Sequence, residues 1–471
     1  MNGPNVTEEE PVRLEGFGPK DLYQRREKIF TRFVGGFFQR LRFFTGWPLL
    51  TGYFVLPWIN WEGRQSVLFD LPARAFHIFG LTFFPQDFWL LGWMLIIAAF
   101  GLFTFTTVVG RIWCGYTCPQ TVWTAIFMWI EQVTEGPRHA RIRLDSAPWS
   151  FEKIRKRTLK HGMWLGVAAL TGVTFVGYFT PIRELVPDLA SLDAGGWAVF
   201  WSLFFTAATY VNAGWMREQV CIYMCPYARF QSAMFDKDTL IVSYDAARGE
   251  PRGSRKRGAE EAALGDCIDC QLCVQVCPVG IDIRNGLQYE CIGCAHCIDA
   301  CNQVMDKMSY PRGLIRYTTE HELAGGRTHW LRPRAVGYAV VLLVMITAFS
   351  IGIFSRNAFE VDVLRERGEL FRTSSDGQVL NQYVLKVLNK TQSAQHYRID
   401  VSSDLPVSIA SREALDRALS SLPGEVLNVP LTLMVAREAV SLPSVPVTVT
   451  LCDVDGEHCN SEQTSFFGPS R

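Results

Sequence analysis

Eight cysteines within residues 267–301 have a spacing that suits metal binding. The first run reads C-x2-C-x2-C-x3-C-P, and the second run repeats the spacing of its four cysteines. A C-x2-C-x2-C loop presents three thiolates to one face of a cubane, and in two-cluster arrangements the fourth ligand comes from the other run. The sequence therefore predicts two [4Fe-4S] clusters. Cluster one would be held by Cys267, Cys270, Cys273 and Cys301, and cluster two by Cys291, Cys294, Cys297 and Cys277.

Structural zinc sites are the main alternative for these eight cysteines. Cysteine pairs in zinc sites usually stand farther apart than two consecutive x2 gaps allow, so the spacing favours iron. Disulfides are disfavoured because the segment is expected to face the reducing cytoplasm. Cys301 is followed by Asn302 instead of proline, a departure that leaves the number of ligands intact. Two neighbouring clusters carry electrons one at a time, so the segment is predicted to be an electron relay.

Two further cysteine pairs share the pattern C-x3-C-P: Cys114 with Cys118, and Cys221 with Cys225. The i,i+4 spacing places both sulfurs of a pair on one helix face, and the proline that follows limits how the helix continues. Soft thiolates at this spacing suit Cu(I) or an iron-sulfur cluster, and Met216 and Met224 are candidate thioether ligands. The alternative is that the cysteines are small apolar core residues. Because both pairs follow apolar segments at equivalent positions, we expect them to converge on one site.

The elements that position these pairs are predicted to be membrane helices. Hydrophobic residues make up 48% of the 471-residue chain and charged residues 20%, which excludes a disordered chain and makes a purely soluble protein improbable. A spanning helix needs about 20 mostly apolar residues. Five runs lack Asp, Glu, Lys, Arg and His: residues 43–61, 88–110, 162–182, 194–216 and 335–355. The C-x3-C-P pairs follow the second and the fourth of these runs.

The distribution of Lys and Arg predicts the orientation, because cytoplasmic loops carry an excess of these residues. The segment before the first run and the loop between the second and third runs are strongly basic, whereas the other two short loops are not. The N-terminus is therefore expected inside, and no removable signal peptide is expected. The predicted domains are a cytoplasmic segment 1–42, a membrane domain 43–216, a cytoplasmic insert 217–334 with a ferredoxin core at 260–310, a last span 335–355 and an outer domain 356–471.

The outer domain is predicted to be a small β-sandwich. The segments QYVLKVLN, HYRIDVSS, NVPLTLMVA and VPVTVTLCD are strand-like, and apolar residues alternate in the last of them. Cys452 and Cys459 flank a turn-like sequence, and outside the membrane a local disulfide is expected. A soft metal site with His458 is the alternative. Asn389 begins a glycosylation pattern that we interpret as an ordinary loop.

The balance of charge excludes one class of partner. Lys and Arg together number 46, as do Asp and Glu, so the chain has no global basic field for nucleic acid. No G-x-G-x-x-G motif offers a nucleotide site.

Three stretches of the chain closely resemble the cytochrome c oxidase accessory protein family called CcoG, FixG or RdxA. They are WCGYTCPQTVW, REQVCIYMCPYARFQSAMFDKDTLIVSYDAARGEPRG and CIDCQLCVQVCPVGIDIRNGLQYECIGCAHCIDACNQVMDKMSYPRGLIRY. The resemblance extends from about residue 20 to the C-terminal domain. It implies an inner-membrane, α-helical protein with five transmembrane helices, an inserted bacterial-type 2[4Fe-4S] ferredoxin domain and a periplasmic immunoglobulin-like β-sandwich.

The resemblance also implies a function. Such a polyferredoxin assists assembly of a cbb3-type haem-copper oxidase by reducing Cu(II) to Cu(I), with the oxidase or its copper-delivery factors as partners. On the matching positions, the eight cysteines of the insert would hold the two clusters. Copper reduction would then fall to Cys114, Cys118, Cys221 and Cys225. Copper, as substrate or bound ion, comes from the resemblance alone, and the electron donor is unknown.

Three functions compete at this point. The first is a cupric reductase that passes electrons from a cytoplasmic donor through the clusters to the thiol pairs. The second is a membrane electron carrier between quinol, or a cytoplasmic donor, and a periplasmic partner. Two observations count against it: the apolar runs hold no ionisable residue for a proton relay, and no C-x-x-C-H haem motif occurs. The third is a scaffold that docks the oxidase, which leaves the clusters unexplained.

Overall fold

The computed structural model describes residues 28–258, 264–391, 393–440, 442–456 and 458–469. Most of the predicted N-terminal segment and the first residues of the predicted ferredoxin core therefore lie outside the described residues.

The part of the chain before the cysteine-rich insert is mainly helical. Its helices are α1 (Phe37–Val55), α2 (Phe88–Val109), α3 (Ile112–Tyr116), α4 (Pro119–Glu135), α5 (Arg138–Ser146), α6 (Phe151–Val176), α7 (Ile182–Ser191) and α8 (Gly196–Thr209). Two π-helical segments, Tyr210–Met216 and Val220–Met224, follow α8. Short strands separate α1 from α2: β1 (Asn60–Trp61), β2 (Arg64–Gln65), β3 (Val67–Asp70), β4 (Ala75–Ile78) and β5 (Leu81–Phe83).

The insert is a small α+β unit built around one strand pair. Its elements are α9 (Pro226–Met234), β6 (Ile241–Tyr244), α10 (Ala246–Gly249), α11 (Leu272–Gln275), α12 (His296–Met308), β7 (Ile315–Thr318) and α13 (Glu320–Leu323), and α14 (Pro333–Phe354) follows. Strands β6 and β7 pair antiparallel, with Tyr244 opposite Ile315. Val242, Ile298 and Met305 pack in the same buried cluster as several of the cysteines.

Three helical segments of the described chain are long and apolar enough to cross a membrane. They are Pro85–Val109, Phe151–Val176 and Pro333–Phe354, and a fourth span results if α7 and the helix that follows it, which meet at 93°, count as one. No residue in the most apolar stretch of α14 is buried inside the protein. These findings make the chain a membrane protein by composition and length of its helices.

The bounds of the first helix differ from those of the predicted first span, residues 43–61. Helix α1 begins earlier, at Phe37, and ends at Val55, and it does not belong to the set of candidate spans. A short 3-10 turn that contains Pro57 follows, and the chain then enters β1. Proline lacks the N–H that would continue a helix, so the charge-free run extends beyond the helix itself.

The N-terminus of α1 is bound to the insert. The carboxylate of Asp299, in α12, accepts hydrogen bonds from the backbone N–H groups of Phe38 at 3.3 Å and Gln39 at 2.9 Å. An acidic group is stabilising at a helix N-terminus because the first N–H groups have no partner within the helix. A Cβ at Gly36 would meet the Asp299 side chain at 2.2 Å, so this approach requires glycine. Helix α1 therefore joins the membrane part to the cysteine-rich insert.

The C-terminal domain is a sandwich of two antiparallel sheets, as the sequence predicts. Its elements are β8 (Phe359–Arg365), β9 (Arg372–Thr373), β10 (Gln378–Asn389), β11 (Gln395–Ser403), β12 (Ser408–Ile409), α15 (Arg412–Ala418), β13 (Ser420–Ser421), β14 (Val426–Ala436), β15 (Ser444–Asp453) and β16 (Cys459–Phe467). One sheet has the order β12-β14-β10-β8 and the other β13-β11-β15-β16. Tyr383, Leu431 and Phe466 are among the fully buried residues between them.

The expected disulfide is present in this domain. Cys452 and Cys459 are directly opposed on β15 and β16 and are bonded to each other. Their sulfurs are therefore not available for the alternative metal site with His458. The exposed His458 donates its backbone N–H to the carboxylate of Asp453 instead.

A buried group of charges fixes the C-terminal domain to the helical part. Lys390, at the end of β10, contacts the carboxylate of Asp87 at 3.0 Å and that of Glu360 at 2.5 Å. Arg356, which follows α14, also pairs with Asp87. Lys390 and Asp87 are 8% and 6% exposed, so water screens this pair only weakly.

Replacing Lys390 with Met should lower the stability of the protein. Removal of the lysine leaves the negative charge of the buried Asp87 carboxylate without one of its partners, which lowers the free energy of unfolding by about 3–5 kcal/mol. The measurement is the unfolding temperature of the detergent-solubilised protein by circular dichroism. Lys386→Met, at an exposed position of the same strand, is the matched control and should leave that temperature nearly unchanged. An equal change in both variants would contradict the role of this charge group.

Candidate metal centres

The two C-x2-C-x2-C loops have the same backbone shape. Asp269 and Gly293, each the residue before the second cysteine of its run, have φ of 52° and 65°. Gln271 and Ala295, each the residue after that cysteine, have φ of 55° and 58°. A residue other than glycine adopts this left-handed region uncommonly, so its recurrence at matching positions shows that both runs curl in the same way. This curl brings the thiols of each loop to one side.

The thiols of the predicted cluster-one site surround one cavity. Its lining includes Cys267, Cys270, Cys273 and Cys301, together with Arg284 and apolar side chains. The pKa of Cys301 is raised to about 12, first by burial and then, in decreasing order, by Cys273, Cys270 and Cys267. Cys301, the last cysteine of the second run, thus lies with the three cysteines of the first run.

The cluster-two cavity shows the reciprocal exchange. It is lined by Cys291, Cys294, Cys297 and Cys277, with Cys273 and apolar residues beside them. The pKa of Cys277 is raised to about 12, first by burial and then by Cys294, with a smaller contribution from Cys291, and backbone hydrogen bonds from Val279 and Ile281 oppose the rise. Both cavities therefore offer four thiols in an apolar enclosure, a donor set that fits a [4Fe-4S] cluster. When bound, such clusters supply one-electron transfer.

The two C-x3-C-P pairs come together beyond the C-terminal ends of α2 and α8. The pKa of Cys114 is raised to about 12, first by burial and then by Cys118, with smaller contributions from Cys221 and Cys225. The pKa of Cys221, about 11, is raised by burial and then by Cys118 and Cys225. Thiols affect one another in this way only at short range, so the structure brings the four together. We call Cys114, Cys118, Cys221 and Cys225 the four-thiol site.

The candidate thioether ligands lie in less enclosed positions. Met224 is 57% exposed, and Met216 is half-buried at the end of the first π-helical segment. The sequence pattern did not identify Gln231, whose buried side-chain oxygen accepts a hydrogen bond from the thiol of Cys114 at 3.4 Å.

The two pairs are introduced by matching backbone bends. Gly110 and Arg217, each four residues before the first cysteine of its pair, have φ of 58° and 46°. This conformation is strained for arginine, and two interactions hold it. The guanidinium of Arg217 pairs with the buried carboxylate of Glu131 at 2.6 Å and donates to the carbonyl of Gly214 at 2.9 Å. The two segments are therefore structural repeats of each other.

The four-thiol site lies directly against the cluster-two loop. A Cβ at Gly115, between Cys114 and Cys118, would meet the carbonyl oxygens of Gly293 at 2.8 Å and Ile292 at 2.9 Å. Only glycine permits this approach of two backbones. Arg42 of α1 fixes the same contact, because its Nε donates to the carbonyl of Gly115 at 2.8 Å and its guanidinium also contacts His296.

Arg111 places a buried positive charge between these two sites. Its guanidinium donates to the carbonyls of Tyr289 and Ala228, and it is 6% exposed. Burial raises the pKa of Cys114 and of Cys291, and the charge of Arg111 opposes that rise in both. Arg111 also lines a third cavity together with Cys291. The residue was not singled out from the sequence, although it lies only three residues before Cys114.

Cys277→Ser should damage the cluster held by Cys291, Cys294 and Cys297 more than the cluster of its own run. The reason is that the Cys277 thiol lines the cavity of the other run. Paramagnetic resonance of the reduced protein measures the two clusters separately, and Cys301→Ser, as the reciprocal variant, should reverse the pattern. Loss confined to the cluster at Cys267, Cys270 and Cys273 in the Cys277 variant would refute the exchange.

Three family models match the chain. Residues 216–320 match a 4Fe-4S dicluster domain, residues 91–133 match a 4Fe-4S binding domain, and residues 349–469 match the immunoglobulin-like fold at the C-terminus of FixG, described as a putative oxidoreductase. The first model contains the eight cysteines of the two cavities. The second contains Cys114 and Cys118, and therefore relates the four-thiol site to iron-sulfur proteins. These matches support a membrane-associated iron-sulfur electron-transfer protein.

Relatives of known name cover most of the chain. The nitrogen fixation protein FixG of Rhizobium meliloti is 42% identical over 407 residues, which are 78% of this chain and 78% of that protein. Protein RdxA of Cereibacter sphaeroides is 41% identical over 84% of this chain and 87% of its own length. A crystal structure of a FixG-related protein from Vibrio parahaemolyticus is 32% identical, covers 24% of this chain and 97% of its own, and has a TM-score of 0.21. From the identity and coverage of the two named relatives, the chain belongs to the FixG/RdxA family.

Proposed function

We propose that this iron-sulfur protein reduces Cu(II) to Cu(I) at the four-thiol site, in support of cbb3-type oxidase assembly. The observation that carries the proposal is the backbone contact of Gly115 with Ile292 and Gly293. It places a set of four soft donors against the loop of a cluster site. A site at that position has a short route for electrons and a donor set that retains the reduced ion.

The four thiols favour the product over the substrate. Cu(I) prefers thiolate ligands, so binding at this site shifts the equilibrium toward reduction of Cu(II). Each Cu(II) takes up one electron, which a cytoplasmic donor supplies. The raised pKa of Cys114 means that the free thiol is neutral near pH 7, so binding of the cation displaces its proton.

The contacts around Gly115 hold the acceptor in place. Arg42 binds the Gly115 carbonyl, and the Tyr317 hydroxyl donates to the Gly293 carbonyl at 2.5 Å. The hydroxyls of Tyr116 and Tyr317 are 3.2 Å apart and join the two sides of the contact. Because these groups fix both loops, the distance between donor and acceptor does not depend on a mobile element.

For the whole chain we propose the five-span topology in the bacterial inner membrane, with the insert cytoplasmic and the sandwich periplasmic. The basic segments before α1 and between α2 and α6 support this orientation. Phe43, Phe44 and Trp47 of α1 are 55%, 69% and 51% exposed, an apolar surface suited to lipid. The proposed partners are the cbb3-type oxidase or its copper-delivery factors.

A second candidate function is electron relay through a third cluster held by the four-thiol site. It is favoured by the match of residues 91–133 to a 4Fe-4S binding domain. In this case the four-thiol site is an intermediate in the transfer of electrons to another partner, and copper is not bound there. Iron analysis separates the two functions, because two cubane clusters bring about eight irons per chain and three bring about twelve.

Cys118→Ala and Cys225→Ala should each abolish copper reduction while the insert keeps its two clusters. Residues that act as one unit lose most activity with the first substitution, so the double variant should be no worse than either single variant. The assay follows Cu(I) formation by the dithionite-reduced, full-length protein after mixing with Cu(II). Thr117→Ala, which alters the same loop and keeps every thiol, is the control and should retain activity. Independent partial losses that multiply in the double variant would show two separate sites.

Arg111→Gln should make the reduction potential of cluster two more negative by several tens of millivolts. A buried positive charge stabilises the reduced, more negative state of a nearby cluster, and its removal has the opposite effect. Arg111→Lys keeps the positive charge, so the potential of cluster two in this variant should stay close to that of the unchanged protein. A redox titration followed by paramagnetic resonance measures both clusters. An unchanged potential of cluster two in Arg111→Gln, or an equal shift of both clusters, would contradict the position assigned to this charge.

A further inference from the structure

Three side chains outside the cysteine sites converge on the surface of the insert. Asp238 precedes β6, His321 lies in α13, and His329 lies shortly before α14. One ligand atom from each lies within 4.8 Å of the other two. Segments far apart in sequence therefore supply two imidazoles and one carboxylate to a single place.

The hydrogen bonds that join these groups meet at one oxygen atom, and the two imidazole rings contact each other edge to face. Oδ1 of Asp238 lies 2.7 Å from Nδ1 of His321 and 3.3 Å from Nδ1 of His329. The same oxygen accepts the backbone N–H of His329 at 2.9 Å. The backbone contact holds the carboxylate, while both imidazoles direct the same kind of nitrogen toward it. Small rotations of the imidazoles would place both nitrogens and the oxygen around one cation.

The neighbouring Arg332 makes its contacts away from the Asp238 carboxylate. Arg332 follows His329 by three residues. It pairs with the carboxylate of Asp236 at 3.2 Å and donates a hydrogen bond to the carbonyl of Thr107. His329 is 69% exposed in its side chain and His321 is 38% exposed, whereas Asp238 is 13% exposed. The group is therefore fixed at the carboxylate and open to solvent at the imidazoles, so an ion can enter it.

The donor set suits a different state of copper from the four-thiol site. Imidazole nitrogen with carboxylate oxygen binds Cu(II) and Zn(II), whereas thiolates select Cu(I). The chain thus has nitrogen and oxygen donors for the oxidised ion and sulfur donors for the reduced ion.

The two sites lie at the same end of α2. The hydroxyl of Thr239 donates to the carbonyl of Thr107 at 2.9 Å, and the N–H of Leu240 donates to that of Val108 at 3.1 Å. The residues directly after Asp238 therefore run along the end of the helix that leads to Cys114. An ion held at Asp238 is on the side of the membrane where the four-thiol site lies.

We propose that Asp238, His321 and His329 bind Cu(II) and load it as substrate before its reduction at the four-thiol site. The binding step transfers no electron. In each imidazole the proton on Nδ1 that faces the carboxylate moves to Nε2 through solvent, which leaves the Nδ1 lone pair for the ion. The loading role rests on the proposed cupric reductase function, whereas the binding itself does not.

Binding is tested with copper(II) sulfate alone on the full-length protein in detergent. The clusters are kept oxidised, and Cys118 and Cys225 are replaced by alanine, so that neither electrons nor the complete four-thiol site compete. The paramagnetic resonance spectrum of one bound Cu(II) should show coupling to two imidazole nitrogens. His329→Gln and His321→Gln should each remove one coupling and weaken binding about tenfold or more. His396→Gln, at an exposed position of the sandwich, is the control and should change neither.

An unchanged spectrum and affinity in His329→Gln would overturn the proposal and leave the three residues as a hydrogen-bonded structural contact. Retained cluster absorbance shows that the variants are folded, and the exposure of His329 makes its replacement the milder change. With the cysteines intact and the clusters reduced, His329→Gln should raise the Cu(II) concentration for half-maximal reduction and keep the maximal rate. If Cu(II) binds as described but is never reduced, the site stands and the cupric reductase function fails. If reduction proceeds and His329→Gln leaves that concentration unchanged, the loading role fails and the reductase function stands.

Discussion

The close approach of two backbones at Gly115 is the constraint on which the rest of the structure depends. The carbonyls of Ile292 and Gly293 lie where any side chain at residue 115 would be. A contact of this kind tolerates no shift of either loop, so both must be fixed from outside. Arg42 and Arg111 do this with hydrogen bonds to backbone carbonyls, and Asp299 ties the start of α1 to the insert. Several elements that are far apart in sequence thus together fix the distance between the two metal-binding loops.

The exchange of fourth ligands adds a second constraint within the insert. Cys277 completes the thiol set of the second run, and Cys301 completes that of the first. Neither site is complete until both loops, α11 and α12 have folded, so the two sites form together. The apolar residues Val242, Ile298 and Met305 stabilise that shared core. Since metal binding to such thiols is coupled to folding, loss of one ligand should weaken the whole insert as well as one cluster.

Local sequence patterns predicted the parts of the site that depend on spacing alone. The doubled cysteine runs indicated the two cavities, and the alternation of Val445, Val447 and Val449 indicated a strand of the sandwich. Helices α2 and α14 match their apolar runs closely, whereas α6 begins at Phe151, well before its predicted run 162–182, and ends at Val176. Helix α1 departs from its run because Pro57 ends it and because its first turn binds the insert. Arg111, Arg42 and Asp299 were not predicted, since each acts on a segment more than seventy residues away. One sequence contains no direct signal for such contacts.

The two thiol pairs show how a repeat can be used asymmetrically. Each pair follows a residue with positive φ, glycine in the first and arginine in the second. At the next position the first repeat has Arg111 and the second has Glu218, both buried. The charge of Arg111 opposes the burial-induced rise in the pKa of Cys114, whereas that of Glu218 adds to the rise for Cys221. Despite Arg111, the pKa of Cys114 is about 12, no lower than the pKa of Cys221 at about 11. Burial, the largest cause of the rise in both thiols, therefore outweighs the two neighbouring charges, which act in opposite directions in the two halves of the repeat.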